Sequence, residues 1–120
     1  MNTRVQAQGF SLTPAIAARA HRQIGRALKR FAENVLSVDV YLKDINGPRG
    51  GDDKQALVRV QLKHRAPVMI ETTHDDLYAA IDLSARRVRR TVRRALGRKQ
   101  HYFRGDSRRL RMIQALSGEL

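Results

Sequence analysis

From Leu77 to Leu96 the chain carries two patterns on one stretch, and together they constrain the fold more than any other feature. Leu77, Ile81, Ser84, Ala85, Val88, Val92, Ala95 and Leu96 recur at three- and four-residue steps. At about 100° per residue they fall within a sector of roughly 120°. Arg86, Arg87, Arg89, Arg90, Arg93, Arg94 and Arg98 all lie about 80° or more from Val88 on the same wheel. A disordered basic tail has no reason to keep Val88, Val92 and Leu96 in step. The run "RRVRRTVRR", Arg86 to Arg94, is therefore the outer face of a helix whose inner face must be covered by other elements. Thr73 to Asp76, "THDD", offers capping oxygens and negative charge for its start. Gly97 is a candidate stop, which Arg98 and Lys99 can also run past.

The rest of the chain supplies what could cover that stripe. "TRVQAQGF" alternates Val5, Ala7 and Gly9 with polar residues and reads as a short strand. "SLTPAI" starts a first helix, with Thr13 as cap and Pro14 at a position where a missing N–H costs nothing. Ile16, Ala20, Ile24, Ala27, Leu28 and Phe31 form its apolar face, and Arg19, Arg22, Arg26, Lys29 and Arg30 lie opposite. "VLSVDVYLKD" alternates Val38, Val40 and Leu42. "ALVRVQLKH" alternates Ala56, Val58, Val60 and Leu62. "PVMIETT" places Val68, Ile70 and Thr72 on one side. "INGPRGGDDK" reads as a loop and "RAP" as a turn, so these three strands suit an antiparallel meander.

The expected order is β-α-β-β-β-α, an α+β fold resembling a double-stranded-RNA-binding domain. A four-stranded sheet would carry both helices on one face, with the first strand parallel to its neighbour through a right-handed crossover. Residues 1–99 are the expected domain. Residues 100–120 are read as a basic tail with two alternatives, a short helix lined by Leu110, Ile113 and Leu116 or a disordered segment.

Composition decides what such a fold could serve. The chain has 120 residues, suited to one domain, and its 42% hydrophobic content is enough for a core. With 5% aromatic content and no Trp, that core must be mainly aliphatic. Lys and Arg number 24 against 11 Asp and Glu, a formal charge of +13. Such a charge repels itself unless salt or a polyanion screens it, which makes nucleic acid the leading partner class ahead of an anionic membrane surface. The absence of cysteine excludes disulfides, zinc–thiolate sites and thiol catalysis. The first twenty residues show no apolar stretch of a secretory signal, and no apolar run approaches a membrane span, so the expected location is the cytoplasm.

The candidate site residues follow from charge and spacing. Arg87, Arg90, Arg94 and Arg98 step along one ridge of the second helix, and Arg86, Arg89 and Arg93 along the other flank. Guanidinium groups pair bidentately with phosphate oxygens and stay charged at any cellular pH. An ordinary solvated face would mix in acids, but the acids of this helix, Asp75, Asp76 and Asp82, all precede the run. Like charges four residues apart destabilise a helix, so an external anion is expected to offset them. The expected RNA-binding set is Arg22, Arg26, Lys29 and Arg30 on the first helix, with Arg86, Arg87, Arg90, Arg93, Arg94, Arg98 and Lys99 on the second.

Other motifs read as structure. "GPRG", Gly47 to Gly50, matches a KH-type clamp in letters only, since it joins two strands. His21, His64, His74 and His101 are scattered, and neither "DD" pair is spaced for metal or acid–base work. No serine sits in a nucleophile elbow, and no glycine-rich loop opens a helix. No catalysis, cofactor or small-molecule substrate is expected. Tyr78 reads as packing at the core edge, with base stacking as the alternative.

Two stretches carry a family resemblance. "SLTPAI" followed by a basic helix ending in "RALKRF", and "DDLYAAIDLSARRVRRTVRR" over residues 75–94, resemble the ribosome hibernation-promoting factors. These are also called ribosome-associated translation inhibitors, the protein Y or sigma-54 modulation family. The resemblance covers about residues 3–97. It implies a translation inhibitor that binds the small ribosomal subunit between head and body under stress or in stationary phase. There it would contact 16S rRNA near the decoding centre and occlude mRNA and tRNA sites. The family's basic positions look to correspond to Arg87, Arg90 and Arg94 on the second helix and to Arg26 and Lys29 on the first. Arg89 departs from the pattern, standing where an acid is common. "HRAP" lacks the glycine usual before the last strand. Long members add a C-terminal dimerisation domain, for which 120 residues leave no room, so the resemblance is to the short type, a monomer off the ribosome. From the residues alone, a free-standing double-stranded RNA-binding module and a regulator docking on an acidic protein remain the alternatives.

Overall fold

The structure is a computed structural model that describes residues 1–44 and 54–105, with side chains to residue 97. The element order is the expected one. β1 spans Asn2–Gln8, α1 Pro14–Leu28, β2 Val35–Asp44, β3 Lys54–Leu62, β4 Val68–His74 and α2 Leu77–Gly105. The sheet order is β1-β2-β3-β4, with β1 parallel to β2 and the other pairs antiparallel. The loop expected around "GPRG" and the helix expected at Leu110 to Leu116 lie outside the described residues.

Strand alternation becomes layers across the sheet. Val5, Val40, Val58 and Ile70 stand side by side, and so do Ala7, Leu42, Ala56 and Thr72. These inward rows pack against both helices, which lie on one face. A register shift between Val35 and Ser37 lets Val35 join Val38 inside, although an unbroken alternation would place them on opposite faces. The core is aliphatic, as the scarcity of aromatics requires, and runs through Ile24, Leu28, Leu42, Leu62, Ile81, Val88 and Val92. Ala80 completes the inner face of α2, a position the periodicity reading omitted.

Local chemistry sets the ends. Thr13 accepts a hydrogen bond from the Ile16 N–H at 3.2 Å, with Pro14 opening α1. The helix does not continue through Phe31, because the chain tightens into a 3-10 segment over Lys29–Asn34. Gly9 lies outside β1 at a φ of 89°, where an added Cβ would meet the Asp44 carbonyl oxygen at 3.0 Å. The turn before β4 has no glycine, and His64 itself takes the left-handed conformation at a φ of 57°. At the start of α2, Thr73 and His74 belong to β4 and the cap falls to Asp76. Its carboxylate accepts from the Tyr78 N–H at 3.1 Å, and its carbonyl from Ala80 at 2.9 Å. Gly97 does not stop α2, which runs on to Gly105. A single glycine costs a helix only about 1 kcal/mol, too little to end one without a competing turn.

Candidate nucleic-acid interface

The two helices run parallel, because α1 positions 19 and 23 meet α2 at Asp82 while positions 26 and 27 line a groove with Ala85, Arg86 and Arg89. That side-by-side placement makes one surface of two basic helices. At its upper end Arg19 donates from Nε and Nη2 to the Asp82 carboxylate, at 3.0 and 2.5 Å. Gln23 donates to the same carboxylate at 3.0 Å. The Arg19 hydrogen bond holds the Asp82 carboxyl below its ordinary range, with Gln23 assisting and desolvation opposing. The same bond raises Arg19. Both side chains remain about one-third exposed, at 34% and 31%, so the pair aligns the helices more than it stabilises them.

Arg19 also lies 5.6 Å from the centroid of the Tyr78 ring, which is itself exposed. Tyr78 therefore stands at the junction of the helices, beneath a guanidinium. On the helical wheel Arg19 falls with the other cations of α1, but in the fold it is committed to Asp82.

The arginines of α2 separate into two flanks. Arg86, Arg89 and Arg93 lie on the α1 side: Arg86 and Arg89 line a groove of about 370 Å³ with Gln23, Arg26 and Asp82. Arg86, Arg89, Arg90 and Arg93 line an adjoining hollow of about 240 Å³. The other flank overhangs β4. There Arg87 Nη1 donates to the Glu71 carbonyl at 2.7 Å and to the Thr72 hydroxyl at 3.0 Å. Thr72 is buried on the inner face of the edge strand, so Arg87 supplies a partner its position would otherwise deny it. Equal spacing on the wheel thus hides unequal surroundings.

The other expected residues are placed as follows. Arg22 and Arg26 are exposed on α1, and Lys29 and Arg30 on the 3-10 segment. Arg22 lies one turn before Arg26 on α1 and does not line the groove, while Arg26 does. Arg90, Arg93 and Arg94 are exposed on α2. Arg98 and Lys99 lie on the α2 backbone, with side chains outside the described ones. Arg89, absent from the expected binding set, lines both hollows. Its angle near the apolar boundary was visible in the sequence, but the neighbour at that boundary was not. Among the described residues, no ion pair joins Arg26, Arg86, Arg89, Arg90, Arg93 or Arg94 to a carboxylate. No cluster of three or more metal-ligating side chains occurs among them, and no described helix is long and apolar enough to cross a membrane.

Fold and surface together define a class: a small β-α-β-β-β-α domain whose paired helices present a cationic face. Residues 3–100 match the family described as Sigma 54 modulation protein / S30EA ribosomal protein, and the chain belongs to that family. It is similar to the ribosome hibernation promotion factor of Bacillus subtilis (strain 168), at 28% identity over 106 residues. That match takes in 87% of this chain and 53% of the relative, so the chain spans about half the length of the curated relative. Among solved structures it resembles the N-terminal domain of Thermus thermophilus Protein Y. The TM-score is 0.64 and the identity 26%, covering 78% of this chain and 98% of that one. A ribosomal subunit interface protein from Coxiella burnetii shares the fold at a TM-score of 0.62 and 16% identity, over 74% of this chain and 90% of that one.

Proposed function

We propose that this protein is a ribosome-binding hibernation factor. In this reading the helical face lies on 16S rRNA of the small subunit, occludes mRNA and tRNA sites, and holds translation off under stress. The observation that carries it is the row of exposed α2 arginines without carboxylate partners among the described residues, in a chain of this family. The names of two relatives, a ribosome hibernation promotion factor and a ribosomal subunit interface protein, point the same way. Residues 1–99 would form the binding domain and work in the cytoplasm. The role is binding, with no reaction and no cofactor.

The residues proposed to meet rRNA are Arg26, Arg30, Arg86, Arg90, Arg93 and Arg94, flanked by Arg22, Lys29, Arg98 and Lys99. Arg87 contributes charge from a side chain already tied to β4. Sedimentation through sucrose with isolated small subunits tests the proposal. The protein is expected to travel with the subunit at low salt and to leave it as salt rises, with a log–log slope of about −0.7 to −0.9 per phosphate contacted. It should also compete with tRNA or mRNA. If Arg90→Glu with Arg93→Glu left subunit binding intact, the proposed face would be wrong. Equal affinity for an isolated RNA duplex would favour a general duplex-binding module. Capture of protein after nuclease treatment would favour an acidic protein partner.

A further inference from the structure

We propose that the groove between α1 and α2 is a built phosphodiester clamp, in which Arg26 closes from one helix and Arg86 and Arg89 from the other on a single backbone phosphate of an RNA strand. The inference rests on reading the helical face as an RNA surface and adds a specific site to it. The hollow of Arg86, Arg89, Arg90 and Arg93 then takes the next phosphate of the same strand, because Arg86 and Arg89 line both cavities.

Three observations carry this. The first is convergence: side chains from positions 26, 86 and 89, on two different helices, line one groove of about 370 Å³. Guanidinium groups cannot shed their charge, so three of them around one hollow repel unless an anion enters. The second is the state of Asp82, the one acid in the groove wall. Its carboxylate already accepts hydrogen bonds from Nε and Nη2 of Arg19 and from Gln23. Asp82 is therefore engaged at the Arg19 end of the groove; its charge is also felt by Arg86, one turn on, but no described ion pair joins it to Arg26 or Arg89. The third is rigidity. Ala27 and Ala85, which also line the groove, are buried, so the helices are fixed at close separation by small residues. An ion entering the groove meets helix backbones already set at the spacing from which the three arginines reach it.

Arg89 is the residue that distinguishes a clamp from a merely positive surface. It sits at the junction of the two cavities, and an acid there would pair with Arg26 or Arg86 and close the site to phosphate. Arg94, on the opposite flank of α2, shares neither cavity.

A double-mutant cycle tests the clamp, using full-length chain, isolated small subunits and, separately, a single-stranded oligouridylate. Arg26→Gln and Arg89→Gln are each expected to weaken binding about tenfold, as loss of a charge-assisted contact does. Combined, they should cost about tenfold to thirtyfold and not the hundredfold product, because both hold the same phosphate. Arg26→Gln with Arg94→Gln should multiply fully. Helical content is checked by circular dichroism for each variant. Multiplicative losses for Arg26 and Arg89 on both RNAs overturn the clamp even if subunit binding is strong. Coupled losses on oligouridylate without any subunit binding would keep the clamp and sink the ribosomal role. Failure to bind either RNA overturns both.

Discussion

Replacing Arg87 and replacing Arg90 should have opposite consequences, although both stand at arginine positions of one helix and sequence patterning treats them alike. Arg87 Nη1 donates to the Glu71 carbonyl at 2.7 Å and to the Thr72 hydroxyl at 3.0 Å. Thr72 is only 2% exposed and sits on β4, the edge strand that closes the sheet. A hydrogen bond from a charged donor is worth about 1.5–3 kcal/mol, and less where the donor stays wet, as here. Leaving the buried hydroxyl without its partner adds about 1 kcal/mol. Against this, removing one charge relieves about 0.3 kcal/mol of repulsion on the helix, and alanine matches arginine in helix propensity. Arg87→Ala should therefore destabilise the domain by about 1–2 kcal/mol, equivalent to roughly 4–16 °C in Tm for a domain of this size. Arg90→Ala breaks no described hydrogen bond, so it should change stability by less than about 0.5 kcal/mol and tend to stabilise. Urea titrations followed by far-ultraviolet circular dichroism, fitted with a common slope, measure both. Equal midpoints for the two variants, or a loss confined to Arg90→Ala, would refute the clamping of β4 by Arg87. On RNA the ranking should reverse, with Arg90→Ala losing more affinity than its stability change explains.

Three further outcomes are expected. Ser84 is 1% exposed and its hydroxyl has no described hydrogen-bond partner, so Ser84→Ala should stabilise by about 1 kcal/mol, seen as a higher urea midpoint. Asp82 is held below its ordinary value of 3.8 by Arg19. The stabilisation it provides is then complete above that value and fades as pH falls through the lower folded-state value. Unfolding titrations between neutral and strongly acidic pH should show this loss, and Asp82→Asn should be less stable at neutral pH with a flatter acid limb. His64 occupies a left-handed conformation, at a φ of 57°. His64→Gly should gain about 0.5–1 kcal/mol net of the extra freedom glycine gives the unfolded chain, read by calorimetry as a higher Tm; no rise would refute the strain.

Where the sequence was legible, the signal was periodic and local. Val38, Val40 and Leu42, then Ala56, Val58, Val60 and Leu62, mark inward rows because a strand exposes alternate side chains to opposite faces. Val88, Val92 and Leu96 mark a buried helical stripe for the same kind of reason. The errors were at boundaries. Thr73 and His74, suited to capping, extend β4 because their partners Gln55 and Lys54 are there to pair with them. Phe31, in step with α1, falls in the 3-10 segment that turns the chain toward β2. Gly97 lacks the turn that would make it a stop, so α2 runs to Gly105.

The candidate site was legible as a face and not as a set of roles. By itself the sequence determined that two amphipathic helices would turn arginines outward from an aliphatic core, since periodicity and charge are properties of a single segment. Only the tertiary structure decided which arginines are spoken for. Arg19 is taken by Asp82, 63 positions away, and Arg87 by Glu71 and Thr72 across a turn. Arg89 gains importance because α1 lies beside it, placing Arg26 in the same groove. Helix geometry fixes the angle at which each side chain leaves its own axis. What waits at that angle depends on which elements the sheet brings alongside, and that is settled by packing between distant segments.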